Sequence, residues 1–225
     1  MDNNLAEKII ERNRVSYNAA ANKFSNTRHY NWPIIESLIS KYIKSGDKVL
    51  DVGCGNARLF LALEKKSVDY LGIDNSENLI QLAEKTGAVL QVKDMLKIDF
   101  EQEFDAVFTL AVLNHLPSRQ TQEQALKNIF QSLKPGGVFI MTNWNMWKLS
   151  TSQKTIWKYK SLTKNVKTIF DRDHPLNYYA FTLRELKSLA KKAGFEVIEA
   201  YYEKQGRVSH WWVGDNLVLV ARRTV

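Results

Sequence analysis

The chain has 225 residues, of which 44% are hydrophobic, and a formal net charge of +8. A chain of this length and composition can bury roughly 70% of its unfolded surface in one domain, which excludes intrinsic disorder. No apolar run reaches the ~20 residues that span a bilayer, and the polar N-terminus has no signal-peptide core. The single cysteine, Cys54, excludes an internal disulfide, and the four histidines are too scattered to predict a metal site. The sequence therefore predicts a cytoplasmic globular protein without a metal.

Helical patterns dominate residues 1–45, where aromatic side chains separate a first helix from a second that begins at Pro33. From Lys48 onward, short apolar runs alternate with amphipathic stretches. The predicted strands are KVLDVG, DYLGID, AVLQVKD, FDAVFTLAVL and VFIMTNW, and the predicted helices are ARLFLALEKK, ENLIQLAEK and QTQEQALKNIFQSLK. This alternation predicts right-handed βαβ units and a parallel sheet with helices on both faces.

The pattern changes after residue 180. A helix, LRELKSLAKKAG, ends at Gly194, and two strands follow it, FEVIEAYYE and NLVLVARR. They are joined by an aromatic loop around His210, Trp211 and Trp212. Because no helix separates the two strands, we expect an antiparallel pair at the edge of the sheet.

A loop with two glycines follows the first strand, where open α/β sheets bind their ligands. Glycine permits torsions and a close ligand approach that a β-carbon would prevent. The dinucleotide fingerprint G-x-G-x-x-G is incomplete here because Arg58 occupies its last position. The acid at the strand's end can receive a ligand ammonium. The candidate binding residues of this loop are Asp51, Gly53, Cys54, Gly55 and Asn56.

Two more strand-to-helix junctions carry an acid. Asp74 ends the second strand, where a carboxylate can accept both hydroxyls of a ribose, and Asn75 follows it. Asp94 and Met95 follow the third strand and suit adenine, since the carboxylate can accept from the exocyclic amine while the thioether covers the ring. An acid at a strand's end can also be a helix N-cap. Three junctions in register favour a nucleoside-containing cofactor.

The segments LDVGCGN, LGIDNS, VKDM, FDAVFTLAVLNHL and LKPGG resemble, in this order and spacing, the motifs of class I S-adenosylmethionine-dependent methyltransferases. The resemblance implies a Rossmann-like α/β fold: a seven-stranded, mostly parallel sheet with an antiparallel C-terminal strand pair and helices on both faces. It implies S-adenosylmethionine as the cofactor. Leu110 and Tyr17 are expected among its contacts, Tyr17 as part of a lid, although Tyr17 could also be a core aromatic.

Residues outside this core resemble the tRNA wobble-uridine (5-carboxymethyluridine) carboxyl methyltransferases. YNAAANKFSNTRHYNWP is similar to their Y-D-x-x-A-x-x-F-x-x-T-R and W-P, TLAVLNHL to S-I-A-V-x-H-H, and PLNYYAFTLREL to Y-Y-H-x-F-x-x-x-E-L. The resemblance implies methylation of the carboxylate of 5-carboxymethyluridine to its methyl ester. Four positions depart from the family: Ala57 replaces a third glycine, Asn114 and Ala180 replace histidines, and Leu217 replaces a tryptophan. The last three leave the exact substrate open.

A carboxylate acceptor needs no general base, because its pKa near 4 leaves it ionised at neutral pH. It needs a cation to hold it, and Arg28 can do so with a bidentate fork, while His115 can donate a hydrogen bond. Arg28 could instead hold the cofactor's own carboxylate or form a surface ion pair. Asn114, Tyr178 and Tyr179 are predicted to contact the substrate.

The excess positive charge is confined to the C-terminal part of the chain. Residues 1–143 contain 17 basic and 17 acidic residues, whereas residues 144–225 contain 15 and 7. Such a distribution favours a polyanionic partner, here tRNA, with Lys148, Lys154 and Lys158 as candidate contacts; a solubilising lysine-rich surface is the alternative. The interleaved Trp144, Trp147 and Trp157 are expected to pack on the sheet.

We predict one domain over residues 1–225: a helical lid (1–45), a cofactor-binding core (46–143), a basic insert (144–180) and a C-terminal helix with a strand pair (181–225). Two other functions stay open, a methyltransferase that acts on a small metabolite and a non-catalytic partner subunit. The resembled family often works with a small zinc-binding activator that covers an apolar edge of the sheet. An exposed apolar strip along residues 104–113 and 138–141 would favour such a partner.

Overall fold

The computed structural model describes residues 2–27, 33–148 and 174–224, and the backbone of residues 165–171. The helices described are α1 (Asn3–Ala19), α2 (Ala21–Asn26), α3 (Pro33–Tyr42), α4 (Arg58–Leu63), α5 (Glu77–Ala83), α6 (Arg119–Ser132) and α7 (Leu183–Lys192). The strands described are β1 (Lys48–Val52), β2 (Asp69–Asp74), β3 (Val89–Val92), β4 (Phe104–Leu110), β5 (Leu133–Trp144), β6 (Asn165–Asp171), β7 (His174–Tyr179), β8 (Phe195–Lys204), β9 (Arg207–Ser209) and β10 (Asn216–Arg223). Short 3₁₀ turns cover Glu64–Lys66, Glu84–Thr86, Met95–Lys97 and Leu113–His115.

The main sheet has the strand order β3-β2-β1-β4-β5-β10-β8-β9. Strands β1 to β5 are parallel, as predicted, and β10 lies antiparallel between β5 and β8. This arrangement confirms the Rossmann-like methyltransferase fold and the antiparallel C-terminal strands. Among the described residues no helix is both long and apolar enough to cross a bilayer.

The prediction of seven strands is wrong by one, because β9 pairs with β8 at the edge of the sheet. β9 has only three residues, too few to show an alternating pattern in the sequence. It forms because Gln205 and Gly206 both have positive φ, at 51° and 81°, which makes a tight turn suited to the twist of a hairpin.

A separate hairpin of β6 and β7 lies in the predicted basic insert, where the sequence indicated no strand. Its second strand packs against α1 through a buried side chain. Asn13 donates from Nδ2 to the Asn177 carbonyl at 3.0 Å and accepts from the Asn177 N–H at 2.9 Å. One side-chain amide thus hydrogen-bonds the N–H and the carbonyl of Asn177, on a strand that does not belong to the main sheet. Sequence periodicity cannot reveal such a contact.

Two apolar clusters fill the two faces of the sheet. Consecutive residues of β5 point to opposite faces, so Phe139 packs with α6 and α7 while Ile140 packs with α3 and α4. Both side chains are buried, as are those of the neighbouring strands β4 and β10. The central strands therefore appear in the sequence as continuous apolar runs rather than alternating ones.

Helix α6 begins at a capping serine and ends where the next strand starts. Ser118 is its N-cap and accepts from the Thr121 N–H at 3.2 Å. The helix ends at Ser132, before the predicted end at Lys134, because Leu133 already pairs with Phe104 of β4.

We expect Thr182→Ala to lower the free energy of unfolding by about 1 kcal/mol. Thr182 Oγ1 accepts from the Glu185 N–H at 3.3 Å, and Glu185 Oε2 accepts from the Thr182 N–H at 2.9 Å, a reciprocal cap for α7. Denaturant unfolding measures the change. Thr182→Ser retains the hydroxyl and should retain most of the stability; an equal loss in both variants would contradict the capping role.

Candidate active site

A cavity opens at the carboxyl edge of the sheet, where the loops after β1, β2, β3 and β4 meet. Ligands of open α/β sheets bind at this edge because all the parallel strands end there. The predicted site residues that line the cavity are Tyr17, Gly53, Gly55, Asp74, Asn75, Asp94, Met95, Leu110, His115 and Tyr178. The structure thus brings the lid, the strand-end loops and the hairpin to one place.

Other predicted site residues lie behind the cavity wall. Asp51, Cys54 and Asn114 are buried, and Asn56 is not among the residues that line the cavity. Tyr179 turns toward the core, where its ring packs 4.7 Å from that of Phe181. The proposed contacts of these five predicted site residues with ligands stay predictions.

The predicted basic contacts are placed only in part. Lys148 donates to Asp215 at 2.6 Å, so its charge is already paired within the protein. Arg28, Lys154 and Lys158 lie outside the described residues.

The glycine loop has the backbone that the sequence predicted. Gly53 and Gly55 have φ of 73° and 56°, and a β-carbon on Gly53 would lie 2.5 Å from Val112 Cγ2. Ala57 also has a left-handed φ of 56°, a conformation that costs an L-residue roughly 1–2 kcal/mol. The loop keeps its turn without a third glycine because alanine is the smallest residue with a β-carbon.

Asp74 joins the first two loops and also faces the cavity. Its Oδ2 accepts from the Gly55 N–H and its Oδ1 from the Ser76 N–H, both at 2.9 Å. Burial raises the pKa of Asp74, while these backbone N–H groups act to lower it. Each oxygen has a further lone pair, so the carboxylate can also accept from ribose hydroxyls.

Asp94 caps a turn and also faces the cavity. Its Oδ1 accepts from the Leu96 N–H at 2.9 Å, which caps the 3₁₀ turn that begins at Met95. Asp94 and Met95 nevertheless both line the cavity. The Met95 carbonyl accepts from Asn128 Nδ2 at 3.1 Å, so the base of the turn is fixed to α6.

Three aromatic side chains form the opposite part of the wall. The hydroxyl of Tyr17 lies 3.0 Å from His115 Nε2, and the ring centroids of His115 and Tyr178 are 4.7 Å apart. His115 follows β4 on the 3₁₀ turn Leu113–His115. The two candidate residues, far apart in sequence, are therefore in hydrogen-bond contact.

Helix α1 contributes one wall of the cavity, and its role as a lid stays a prediction. Its residues Ile10, Asn13, Arg14 and Tyr17 line the wall. At its C-terminal end, Asn18 Oδ1 accepts from Ser76 Oγ at 2.7 Å and from the Asn78 N–H at 3.1 Å.

The sequence interpretation missed several lining residues. The face of α1 that carries Ile10, Asn13 and Arg14 was not assigned, because helical periodicity does not say which partner a face meets. The expectation for Trp144 was wrong: it lines the cavity and is 43% exposed. Its position, at the carboxyl end of the fifth strand's run, was the available signal.

A family model described as a methyltransferase domain matches residues 25–200. The chain belongs to this methyltransferase family. It is 34% identical over 142 residues to the tRNA (carboxymethyluridine(34)-5-O)-methyltransferase of Arabidopsis thaliana, a match that covers 63% of this chain and 34% of that protein. The methyltransferase thus spans about a third of the length of this relative.

Solved structures share the fold. An S-adenosylmethionine-dependent methyltransferase from Methanosarcina mazei superposes with a TM-score of 0.72 at 22% identity, over 84% of this chain and 97% of that chain. A complex between the Haloferax volcanii Trm112 methyltransferase activator and a putative methyltransferase gives 0.71 at 18% identity, over 93% and 98%. The fold of this methyltransferase is that of S-adenosylmethionine-dependent enzymes.

The residues of the cavity fit S-adenosylmethionine as the methyl donor. Asp74 can accept from ribose hydroxyls and Asp94 can accept from the adenine amine. Met95, next to Asp94 in the chain, lines the same cavity. Arg58 also lines the cavity, at the first turn of α4, where a cation can face the methionine carboxylate. The position of Arg58 had served only to exclude the dinucleotide fingerprint.

Asp51 lies beneath this site and is the most perturbed carboxyl near it. Burial raises its pKa to about 7, although Tyr70 donates a hydrogen bond at 2.8 Å and Arg58 lies near, and both act to lower it. In the unfolded chain the pKa of an aspartate is about 3.9. The folded protein therefore holds a proton on Asp51 that the unfolded chain releases between about pH 4 and pH 7.

We expect the stability of the methyltransferase, without cofactor, to fall relative to that of Asp51→Asn as pH rises from about 4 to about 7. The folded state binds the extra proton in this window, so its free energy of unfolding decreases with pH, by on the order of 4 kcal/mol in total. The asparagine variant lacks this dependence. Denaturant unfolding of both proteins between pH 4.5 and 8 measures the difference, and parallel curves would contradict it.

Proposed function

We propose that this methyltransferase transfers a methyl group from S-adenosylmethionine to the carboxylate of 5-carboxymethyluridine at the wobble position of tRNA. The observation that carries the proposal is the character of the acceptor wall. Tyr17, His115, Tyr178 and Trp144 form it with hydroxyl, imidazole and indole groups. The acids that line the cavity, Asp74 and Asp94, belong to the loops after β2 and β3, which we assign to the cofactor. A wall of donors and aromatic faces favours an anionic acceptor on a planar base over an amine.

The relative in Arabidopsis thaliana supports this substrate, since its name states a carboxymethyluridine at position 34. The proposal concerns the methyltransferase domain alone, because the match covers 34% of the Arabidopsis thaliana protein.

Bound S-adenosylmethionine supplies a methyl group on a positively charged sulfur. The chain's own residues then have three tasks: Asp74 and Asp94 hold the nucleoside, His115 orients the acceptor oxygen, and α1 keeps water out. Positioning is sufficient for a carboxylate acceptor, which needs no proton removed. The Tyr17 hydroxyl, 3.0 Å from Nε2, sets the orientation of the imidazole.

Arg28 completes the proposal as the cation that holds the acceptor. It lies outside the described residues, yet Phe24, four residues earlier in the chain, lines the cavity.

We expect purified protein with tritiated S-adenosylmethionine and bulk tRNA to produce label in an alkali-labile ester of 5-carboxymethyluridine. His115→Ala should lower kcat roughly 100-fold, because it removes a side chain that positions the acceptor wall, and should leave the dissociation constant of the cofactor unchanged. Tyr17→Phe should lower kcat less. Nucleoside analysis after digestion identifies the product, and calorimetry measures cofactor binding.

Tyr42→Phe is the matched control, because it also removes a tyrosine hydroxyl. Tyr42 is the last residue of α3, and its hydroxyl donates to Glu199 of β8 rather than to a residue of the cavity. It should leave kcat unchanged. If the protein binds the cofactor and tRNA stays unlabelled, also with a candidate activator present, the carboxymethyluridine proposal fails and a small metabolite becomes the acceptor.

We also propose that a small zinc-binding activator pairs with strand β3. The strip foreseen along residues 104–113 and 138–141 contains only buried and half-buried residues, so it does not form an exposed apolar surface. Two of the exposed apolar side chains lie on β3, where Val89 is 63% and Val92 52% exposed. Among the strands that the structure describes, β3 pairs only with β2, so its other edge can accept a strand from a partner. The structural neighbour from Haloferax volcanii, solved with the Trm112 activator, supports a partner of this kind.

We expect a candidate activator to co-purify with the protein and to lose this association in the double variant Val89→Lys/Val92→Lys. Two charges on the edge strand disfavour pairing with another chain. Val208→Lys, on the exposed strand β9 at the opposite edge, is the control and should retain the partner. Loss of the partner in the control, or retention in the double variant, would place the interface elsewhere.

A further inference from the structure

The loop of residues 210–212, named here the aromatic loop, lies at the same edge of the sheet as the cavity. Asn216, where β10 begins, pairs with Trp144 of β5 on one side and with Glu203 of β8 on the other. Trp144 is the last residue of β5, so this row of three residues marks the carboxyl edge. The aromatic loop precedes it by four residues.

The backbone of the aromatic loop is held in place from within. Asn145, itself buried, donates from Nδ2 to the carbonyls of Trp211 at 2.6 Å and Gly214 at 2.8 Å. The Gly214 N–H donates to the His210 carbonyl at 2.8 Å, which closes the turn. A loop fixed in this way presents its side chains without further ordering.

The side chains of the aromatic loop face solvent. Trp211 is 48% and Trp212 39% exposed. The imidazole of His210 stacks on the Trp212 ring at 4.5 Å with an interplanar angle of 3°, and Trp211 stands nearly perpendicular to Trp212 at 5.7 Å. Two neighbouring, partly exposed tryptophans contribute little to the core and indicate a binding surface.

An aromatic path leads from the catalytic histidine toward this surface. The rings of His115 and Tyr178 are 4.7 Å apart, and those of Tyr178 and Trp144 are 6.5 Å apart. Trp144 lines the cavity, and the next residue, Asn145, holds the aromatic loop. Adjacent residues thus connect the acceptor wall to the aromatic loop.

The charges around the aromatic loop suit an anion. Lys204 and Arg207, both exposed, flank the turn of the β8–β9 hairpin. The two nearby acids are already engaged: Asp215 pairs with Lys148, and the buried Glu203 accepts from the Gly206 N–H and Asn216 Nδ2. Free cations beside aromatic faces are the combination that binds single-stranded nucleic acid.

We propose that the aromatic loop, together with Trp144, stacks the unpaired bases that flank the nucleotide entering the cavity. The inference deepens the proposed function and rests on it. The planar rings of the loop stack on bases, and every nucleotide has a base face that can stack. Lys204 and Arg207 contact the phosphates. The surface would thus position an RNA loop without reading its sequence.

Fluorescence anisotropy of a dye-labelled oligouridylate measures the affinity of this surface for RNA. The measurement uses the fluorescence of the dye rather than of tryptophan, and it does not require methyl transfer. Trp211→Ala/Trp212→Ala should weaken binding about tenfold, since stacking contributes roughly 1–3 kcal/mol per base. Trp211→Phe/Trp212→Phe should restore most of the affinity. Val208→Ala, exposed on the adjacent strand, is the control and should change nothing.

An oligomer of equal length with abasic sites separates stacking from charge. The double alanine variant should bind it as the unaltered protein does, and should keep the salt dependence of oligouridylate binding. Arg207→Gln should instead lower the slope of log affinity against log salt by about 1. Unchanged cofactor affinity confirms that each variant is folded.

Three results would overturn the proposal: no binding of oligouridylate, equal binding by the double alanine variant, or an equal loss for the abasic oligomer. A change in oligomeric state on substitution, seen by light scattering, would assign the aromatic loop to contact with a second copy of the chain. If stacking is observed and tRNA is not methylated, the aromatic loop binds RNA and only the proposed acceptor is wrong.

Discussion

The carboxylate of Asp74 is the contact on which the site depends. One oxygen holds the Gly55 N–H of the glycine loop and the other holds the Ser76 N–H at the start of α5. The Ser76 hydroxyl in turn donates to Asn18 at the end of α1. A single acid therefore connects the first two strand-end loops to α1, through hydrogen bonds that are partly shielded from water.

Helix α1 extends this connection to the acceptor side. Asn13 fixes it to the β6–β7 hairpin, Asn18 fixes it to α5, and between them Tyr17 reaches His115. The same helix thus contacts His115, which we propose orients the acceptor, and lines the cavity that we assign to the cofactor. Under the proposed function, binding of the methyl donor and alignment of the acceptor share one set of contacts, and α1 helps to exclude water.

The C-terminal part of the chain adds a different kind of surface. Its strands complete the sheet, and they also carry the aromatic loop and the exposed cations of the β8–β9 hairpin to the carboxyl edge. Lys148, by contrast, is paired with Asp215, so excess charge in a sequence does not by itself identify a contact with phosphate.

The sequence by itself determined the parallel core, the glycine loop and the acids at the ends of β2 and β3, because each depends on local chemistry: apolar runs, left-handed torsions and strand ends. It could not determine the eighth strand, since three residues carry no period, or the β6–β7 hairpin, which α1 stabilises through Asn13. Only the tertiary structure decided that Asp51 lies under the cavity, that Tyr17 meets His115 across 98 residues, and that Trp144 is exposed. These are long-range packing outcomes, and a local pattern does not specify the partner of a side chain.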